Sequence, residues 1–302
     1  MSAIDDMTLS GLSCEFVRPA AFQAGRFSFP LRQRTYIMGI LNVTPDSFSD
    51  GGKYMDNEQA ALHAQSMLQS GADIIDIGGE STRPGFSPVS ADEELQRVIP
   101  IIEKLTRDFD CPISVDTSKP EVAAAALSAG ACIVNDINGF QKYPELAVVV
   151  ARYRAGVVLM HNARLYRSEI SRNDIMADVG VFLRESLRLA LAAGLQPDQL
   201  MIDPGIGFGV TPQDSITMIA RLNELNDMGL PVLLGPSRKK FIGHILGPAS
   251  DRMIGTIASV VVGIMNGADF IRVHDVREAV EAARVTDAIC RQEKDQSGVT
   301  GR

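Results

Sequence analysis

The sequence has no pair of closely spaced cysteines. Cys14, Cys111, Cys132 and Cys290 are scattered over 302 residues, which argues against a zinc ribbon or a disulfide framework and for reduced thiols in the cytoplasm. A basic excess is missing as well. With a formal net charge of -8 the chain lacks the basic face of a polyanion binder, so a nucleic-acid partner is not expected. Its most apolar long segment, MIGTIASVVVGIMNGADFI, is interrupted by Gly255, Gly263, Asn266 and Gly267. That leaves no run of about 20 apolar residues to cross a membrane. The opening MSAIDDMTLSG has neither the basic start nor the apolar stretch of an export signal.

What the sequence does contain is a recurring device: a helical stretch ends in glycine, often followed by alanine, and a short apolar run begins at once. SGADIIDIGGE, AGACIVNDI, AGVVLMH and NGADFIRVH all follow it. Glycine closes a helix in the left-handed conformation, and a β-branched run without polar alternation is what a parallel strand covered on both faces requires. Such runs fall at 36–42, 73–77, 112–116, 132–135, 156–161, 200–203, 231–235 and 270–274. Eight of them with helices between predict a (β/α)8 barrel over residues 35–292; a doubly wound open sheet is the alternative. Residues 1–34 carry no barrel unit and are expected to cover its bottom or side, and 293–302 form a polar tail.

Every predicted strand ends in polar residues: Asn42, GGESTRPG, Asp116, Asn135, His161, Asp203, SRKK, and Arg272 with His274. In a (β/α)8 barrel these ends converge on one rim, where such enzymes build their sites. Arg272 and His274, two apart, share one side of their strand; with Ser237, Arg238 and Lys239 they make a cationic corner suited to an anion. The alternatives are an ion pair between Arg272 and a barrel carboxylate, and a hydrogen-bonded core role for His274. Asp116, Asn135 and Asp203 are poor zinc ligands without His or Cys companions, though magnesium remains open. They also suit the N–H edge of an amidine-like ring, or, as the plain alternative for the aspartates, the caps of following helices. DPGIGFG lacks dinucleotide-fingerprint spacing, so its glycines are read as admitting backbone close to a flat ligand. NVTPDSFSDGG and STRPG are expected to be mobile loops that close over substrate.

GILNVTPDSFSDGG, GADIIDIGGESTRPG, ISVDTSKPEV, VNDI, LMH, DPGIGFG, SRK and IRVHDV occur in this order, and in this the sequence resembles the dihydropteroate synthases. The resemblance implies a (β/α)8 transferase that joins (7,8-dihydropterin-6-yl)methyl diphosphate to 4-aminobenzoate, releasing diphosphate, in folate biosynthesis. It further implies that Asp116, Asn135, Asp203 and Lys239 hold the pterin, that Thr82, Arg272 and His274 bind the diphosphate, that Arg83 organises the closed site, and that Asn42 helps coordinate Mg2+. Two positions depart from the family: Val210 where lysine is common, and Lys240 where serine is. Two related readings follow, a pterin-binding module for corrinoid methyl transfer, disfavoured by STRPG and RVHD, and an impaired paralogue. The apolar helices around 253–267 would supply a homodimer interface.

Overall fold

The computed structural model describes residues 16–43, 52–80, 89–165 and 174–290. A hairpin comes first, β1 (Ala21–Ala24) and β2 (Phe27–Pro30), joined by the two-residue loop Gly25 and Arg26. Eight parallel strands follow: β3 (Tyr36–Asn42), β4 (Ile74–Gly78), β5 (Ile113–Asp116), β6 (Ile133–Asp136), β7 (Gly156–Met160), β8 (Leu200–Asp203), β9 (Leu233–Leu234) and β10 (Phe270–Val273). Around them, in order, lie α1 (Gly52–Gln69), α2 (Ala91–Asp108), α3 (Pro120–Ser128), α4 (Glu145–Tyr153), α5 (Ile175–Ala192), α6 (Pro212–Ala220), α7 (Lys240–Leu246), α8 (Met253–Met265) and α9 (Val276–Cys290).

Closure decides between barrel and open sheet. Strands run β8-β7-β6-β5-β4-β3-β10-β9, and a parallel bridge between Ile202 and Val232 joins the two ends. The ring is a (β/α)8 barrel. Its seventh strand, expected at 231–235, is only Leu233–Leu234 as a regular element; the bridge at Val232 and the Ile202 N–H bonded to the Pro231 carbonyl carry the seam.

Two apolar cores share these strands by parity. Ile37, Leu41, Ile75, Val115, Val134, Leu159, Ile202 and Ile271 face outward and are covered by the helices. Met38, Ile74, Ile133, Val158, Met201, Leu233 and Phe270 face inward and form a floor with Phe22 and Phe29 of the hairpin. Because strand side chains alternate, the next inward positions toward the C-terminal rim are Asp76, Asn135, Asp203 and Arg272. They stand directly above the floor.

The residues before β3 therefore plug the barrel's bottom. Phe22 and Phe29 meet Phe270 edge-on at 5.7 Å each, a geometry that favours aromatic pairs beyond burial alone. Gly156 opens β7 without a side chain for this reason: a Cβ there would lie 2.6 Å from Phe22 Cζ. The helix-closing role expected of that glycine belongs instead to Arg154, left-handed at φ 53°. Elsewhere the device holds, with Gly71, Gly130 and Gly267 at φ 99°, 113° and 99°. Among the described residues no helix is long and apolar enough to cross a membrane. Residues 1–15 and the tail at 293–302 lie outside the described residues, as do 44–51 and 81–88, which hold most of the two loops expected to move.

Candidate active site

The inward polar residues are bonded to one another. Arg272 on β10 donates from Nε to Asp76 Oδ2 and from Nη2 to Asp116 Oδ2, both at 2.6 Å. Asn135 Nδ2 donates to the same Asp76 oxygen at 3.2 Å. One guanidinium thus spans two aspartates from β4 and β5, so the cationic and carboxylate halves of the rim, read as separate corners, meet at Arg272. Asp76 is fully buried and was not singled out in the sequence; its Oδ1 and the Oγ of Ser114, its neighbour in register, are buried without a hydrogen bond. The signal was there: a charge inside an apolar strand, sharing the inward parity of Ile74.

Asp116 does not cap the helix that follows it. Lys119 occupies the N-cap of α3, and its N–H is met by Thr117 Oγ1. Asp203 serves its own turn with one oxygen, Oδ1 accepting from the Gly205 N–H at 2.7 Å. Lys239 stands over the ring of Phe208, its Nζ 4.2 Å from the centroid. His274 is held by Ser237: the hydroxyl accepts from the His274 N–H and lies 2.8 Å from Nδ1. A hydroxyl that donates to Nδ1 leaves the ring proton on Nε2.

Not every expected residue joins the pocket. Arg238 turns away, paired through both nitrogens with Asp275 at 2.9 and 2.6 Å. Its left-handed backbone, φ 53°, separates its direction from that of Lys239, so the cationic corner holds one fewer charge than expected. His161 falls on the outward parity of β7, is fully buried, and donates from Nδ1 to the Pro204 carbonyl at 3.0 Å. It braces the turn behind Asp203. Thr82 and Arg83 lie outside the described residues.

Burial sets the electrostatics. It pushes Asp116 up to about 7, against the pull of Arg272, and Asp203 up to about 6, against the Gly205 N–H and Lys239. Burial and the neighbouring Arg272 lower Lys239 to about 8. Arg272 loses solvation too, but Asp76 and Asp116 outweigh that loss and hold its pKa above the ordinary guanidinium range. The site is a set of desolvated charges of both signs, the usual condition of a reaction centre.

Asn42 ends β3 beside this group. A Cβ built at Gly78 would sit 3.7 Å from Asn42 Oδ1 and 3.8 Å from Asp116 Oδ2, so both oxygens border the space over that glycine. No cluster of three His, Cys, Asp or Glu residues suited to a metal occurs among the described residues. A single amide oxygen would fit a magnesium ion only where other donors fill its shell.

Paired acceptors on central strands, a desolvated lysine over an aromatic ring and an arginine on β10 with a histidine just past its end meet at one mouth of a (β/α)8 barrel, the face on which enzymes of this fold build their sites. The family profile described as pterin binding enzyme matches residues 38–274. The dihydropteroate synthase of Bacillus subtilis is 49% identical over 259 residues, 85% of this chain and 90% of that protein. A crystal structure of the Clostridium difficile dihydropteroate synthase in the presence of pteroic acid superposes with a TM-score of 0.84 at 50% identity, covering 87% of this chain and 100% of that one. The Xanthomonas albilineans dihydropteroate synthase with 4-aminobenzoic acid does so at 0.84 and 41%, covering 91% and 99%. The chain belongs to the pterin-binding enzyme family, among its dihydropteroate synthases.

Proposed function

We propose that this enzyme joins (7,8-dihydropterin-6-yl)methyl diphosphate to 4-aminobenzoate, giving 7,8-dihydropteroate and diphosphate. The observation that carries the reading is the Asp76, Arg272 and Asp116 bridge, which sets a ring-edge acceptor and an anion-binding cation side by side in a barrel of this family. Asp116, Asn135 and Asp203 accept from the N–H groups of the pterin edge, and Lys239 donates to an acceptor of the same ring. Arg272 and the Nε2–H of His274 hold the diphosphate. Thr82, in the STRPG segment, is assigned to the same anion, and Arg83 to organising the closed site.

Chemically little acid–base work is needed. The aryl amine is neutral near pH 7 and attacks the methylene carbon with its nitrogen lone pair. The nitrogen pair becomes the carbon–nitrogen bond, the carbon–oxygen bond breaks with its electron pair leaving on diphosphate, and the amine sheds one proton. The electron-rich pterin shares the positive charge that grows on the methylene carbon, while Arg272 and His274 stabilise the departing anion. Asn42 would hold a magnesium ion bound to the diphosphate, whose contribution is to neutralise charge on the leaving group. The free thiols of Cys111, Cys132 and Cys290 suit the reducing cytoplasm. The direct test is diphosphate release with the amine present and omitted. Release that depends on the amine, with one dihydropteroate formed per diphosphate, supports the reading; no dihydropteroate contradicts it.

A pH profile follows from the site. Pterin recognition needs Asp116 and Asp203 ionised, and their raised values mean both take up protons as the pH falls through about 7 and about 6. Lys239 loses its charge as the pH rises through about 8. For the dihydropterin diphosphate, kcat/KM is therefore expected to be bell-shaped with its maximum between these limbs, which belong to the coupled set. A profile flat from pH 5.5 to 9 contradicts the assignment.

The homodimer is proposed on the surface of α7, α8 and α9. Ile245, Leu246, Ile254, Met265, Val285 and Ile289 are each more than half exposed there, a density of apolar side chains that marks interfaces. Sedimentation equilibrium is expected to give twice the chain mass, and Ile254→Glu with Met265→Glu to give the monomer.

A further inference from the structure

Arg238 is a cation that the pocket does not absorb, and it stands in a backbone conformation that side chains disfavour. Its φ of 53° is left-handed, which costs a residue with a Cβ free energy unless its surroundings hold it there. Here backbone and side chain are both held. The Arg238 N–H donates to Thr256 Oγ1 at 2.9 Å, and that hydroxyl, fully buried on α8, donates in turn to the Arg252 carbonyl at 2.8 Å. Arg252 Nη1 donates to the Arg238 carbonyl at 3.1 Å. A Cβ at Gly243 of α7 would lie 2.9 Å from Arg252 Nη2, so a bare glycine makes room for that guanidinium. The Arg238 side chain runs out to the surface and closes on Asp275 through two nitrogens.

The turn sets the direction of the residues on either side of it. Ser237 is bonded to His274, the residue before Asp275, so two successive pairs fasten the segment after β9 to the end of β10. Lys239 leaves the turn the opposite way. Its stem lies along Gly207, where a Cβ would be 3.3 Å from Lys239 Cδ, and its ammonium stands over Phe208 in the field of Asp203 and Asp116. Lys239 is also the N-cap of α7. A right-handed residue at 238 would therefore redirect the chain at the foot of that helix and carry the base of Lys239 with it.

We propose that Arg238 is a positioning residue: pinned by Asp275, Thr256 and Arg252 in a left-handed turn, it aims Lys239 at the pterin ring. This role rests on the synthase reading, which places Lys239 on that ring, and adds to it the residue that holds the lysine there. As an ion pair at the surface, Arg238 with Asp275 adds little to stability. What the pair secures is a backbone direction that the arginine would not keep unaided.

Glycine and alanine at position 238 separate the direction of the turn from the ion pair. Both remove the pin, and only glycine adopts a left-handed backbone freely. The test titrates the wild-type chain, Arg238→Ala and Arg238→Gly with a pterin analogue lacking the diphosphate. Arg238→Ala is expected to bind about tenfold more weakly than the wild type, because only the left-handed fraction of the protein has Lys239 in place. Arg238→Gly is expected to stay within about threefold of the wild type. In a chain that also carries Lys239→Ala, the two substitutions at 238 are expected to give equal affinities, since the lysine through which they act is gone. Equal losses for glycine and alanine, no loss in either, or a difference between them that persists without Lys239 overturns the proposal. If the wild type itself binds no pterin analogue, the synthase reading falls and takes this one with it; wild-type binding without the split between glycine and alanine overturns only the role of Arg238.

Discussion

Arg272→Ala is expected to destabilise the fold and to abolish turnover, and the two losses are expected to separate in a second variant. Removing the guanidinium leaves Asp76, fully buried, and Asp116 without their counter-charge. Breaking a buried pair in this way costs about 3–5 kcal/mol, and losing one contact to a developing anion costs roughly a hundredfold to a thousandfold in kcat. Asp76→Asn in the same chain removes one of the stranded charges. Urea unfolding should then show much of the lost stability restored, while diphosphate release stays at the level of Arg272→Ala. Recovery of both together would mean that Arg272 serves only the fold; recovery of neither would mean that Asp76 is not its principal partner.

Asp116→Asn is the second large effect, and it should appear in a different constant. The amide keeps the size of the carboxylate but turns an NH2 group toward donors: the Arg272 Nη2 that bonds Asp116 now and the N–H groups of the pterin edge. Losing a charged acceptor costs about 1.5–3 kcal/mol, and the added donor pushes the effect to the upper end, roughly a hundredfold. Titration with a pterin analogue lacking the diphosphate should show this loss, and the acid limb of the kcat/KM profile near pH 7 should shrink. A variant that binds the analogue normally and keeps the acid limb would remove Asp116 from the ring-edge role.

The sequence exposed some of this arrangement and hid the rest, for physical reasons that differ by element. Parallel strands buried on both faces are unbroken apolar runs, and the left-handed glycines at Gly71, Gly130 and Gly267 punctuate them, so seven strands fall within one residue of their expected ends. β9 was over-read because 231–235 is apolar throughout, while its regular pairing extends only over two residues. The plug hairpin is too short to show alternation, and Phe22 and Phe29 gain their meaning only from the barrel floor they meet.

Within the site, residues at strand ends were legible because polarity there interrupts an apolar pattern. Asp76 was not, because the run IIDIG was read as a unit instead of by parity; its inward step from Ile74 places it beside Arg272 and Asn135, some 196 residues away in the first case. Arg238 misled in the opposite sense. Its neighbours Ser237 and Lys239 belong to the pocket, and only its backbone turn and Asp275 reveal that it does not.

A crystal of the enzyme with (7,8-dihydropterin-6-yl)methyl diphosphate, or with the ring and diphosphate as separate molecules, tests the central claim most directly. The ring edge should lie within hydrogen-bond distance of Asp116 and Asp203, and the diphosphate within that distance of Arg272 and His274, with the methylene carbon between them. Density for the ring or the phosphates at any other part of the barrel, with the Asp76, Arg272 and Asp116 bridge untouched, would contradict it.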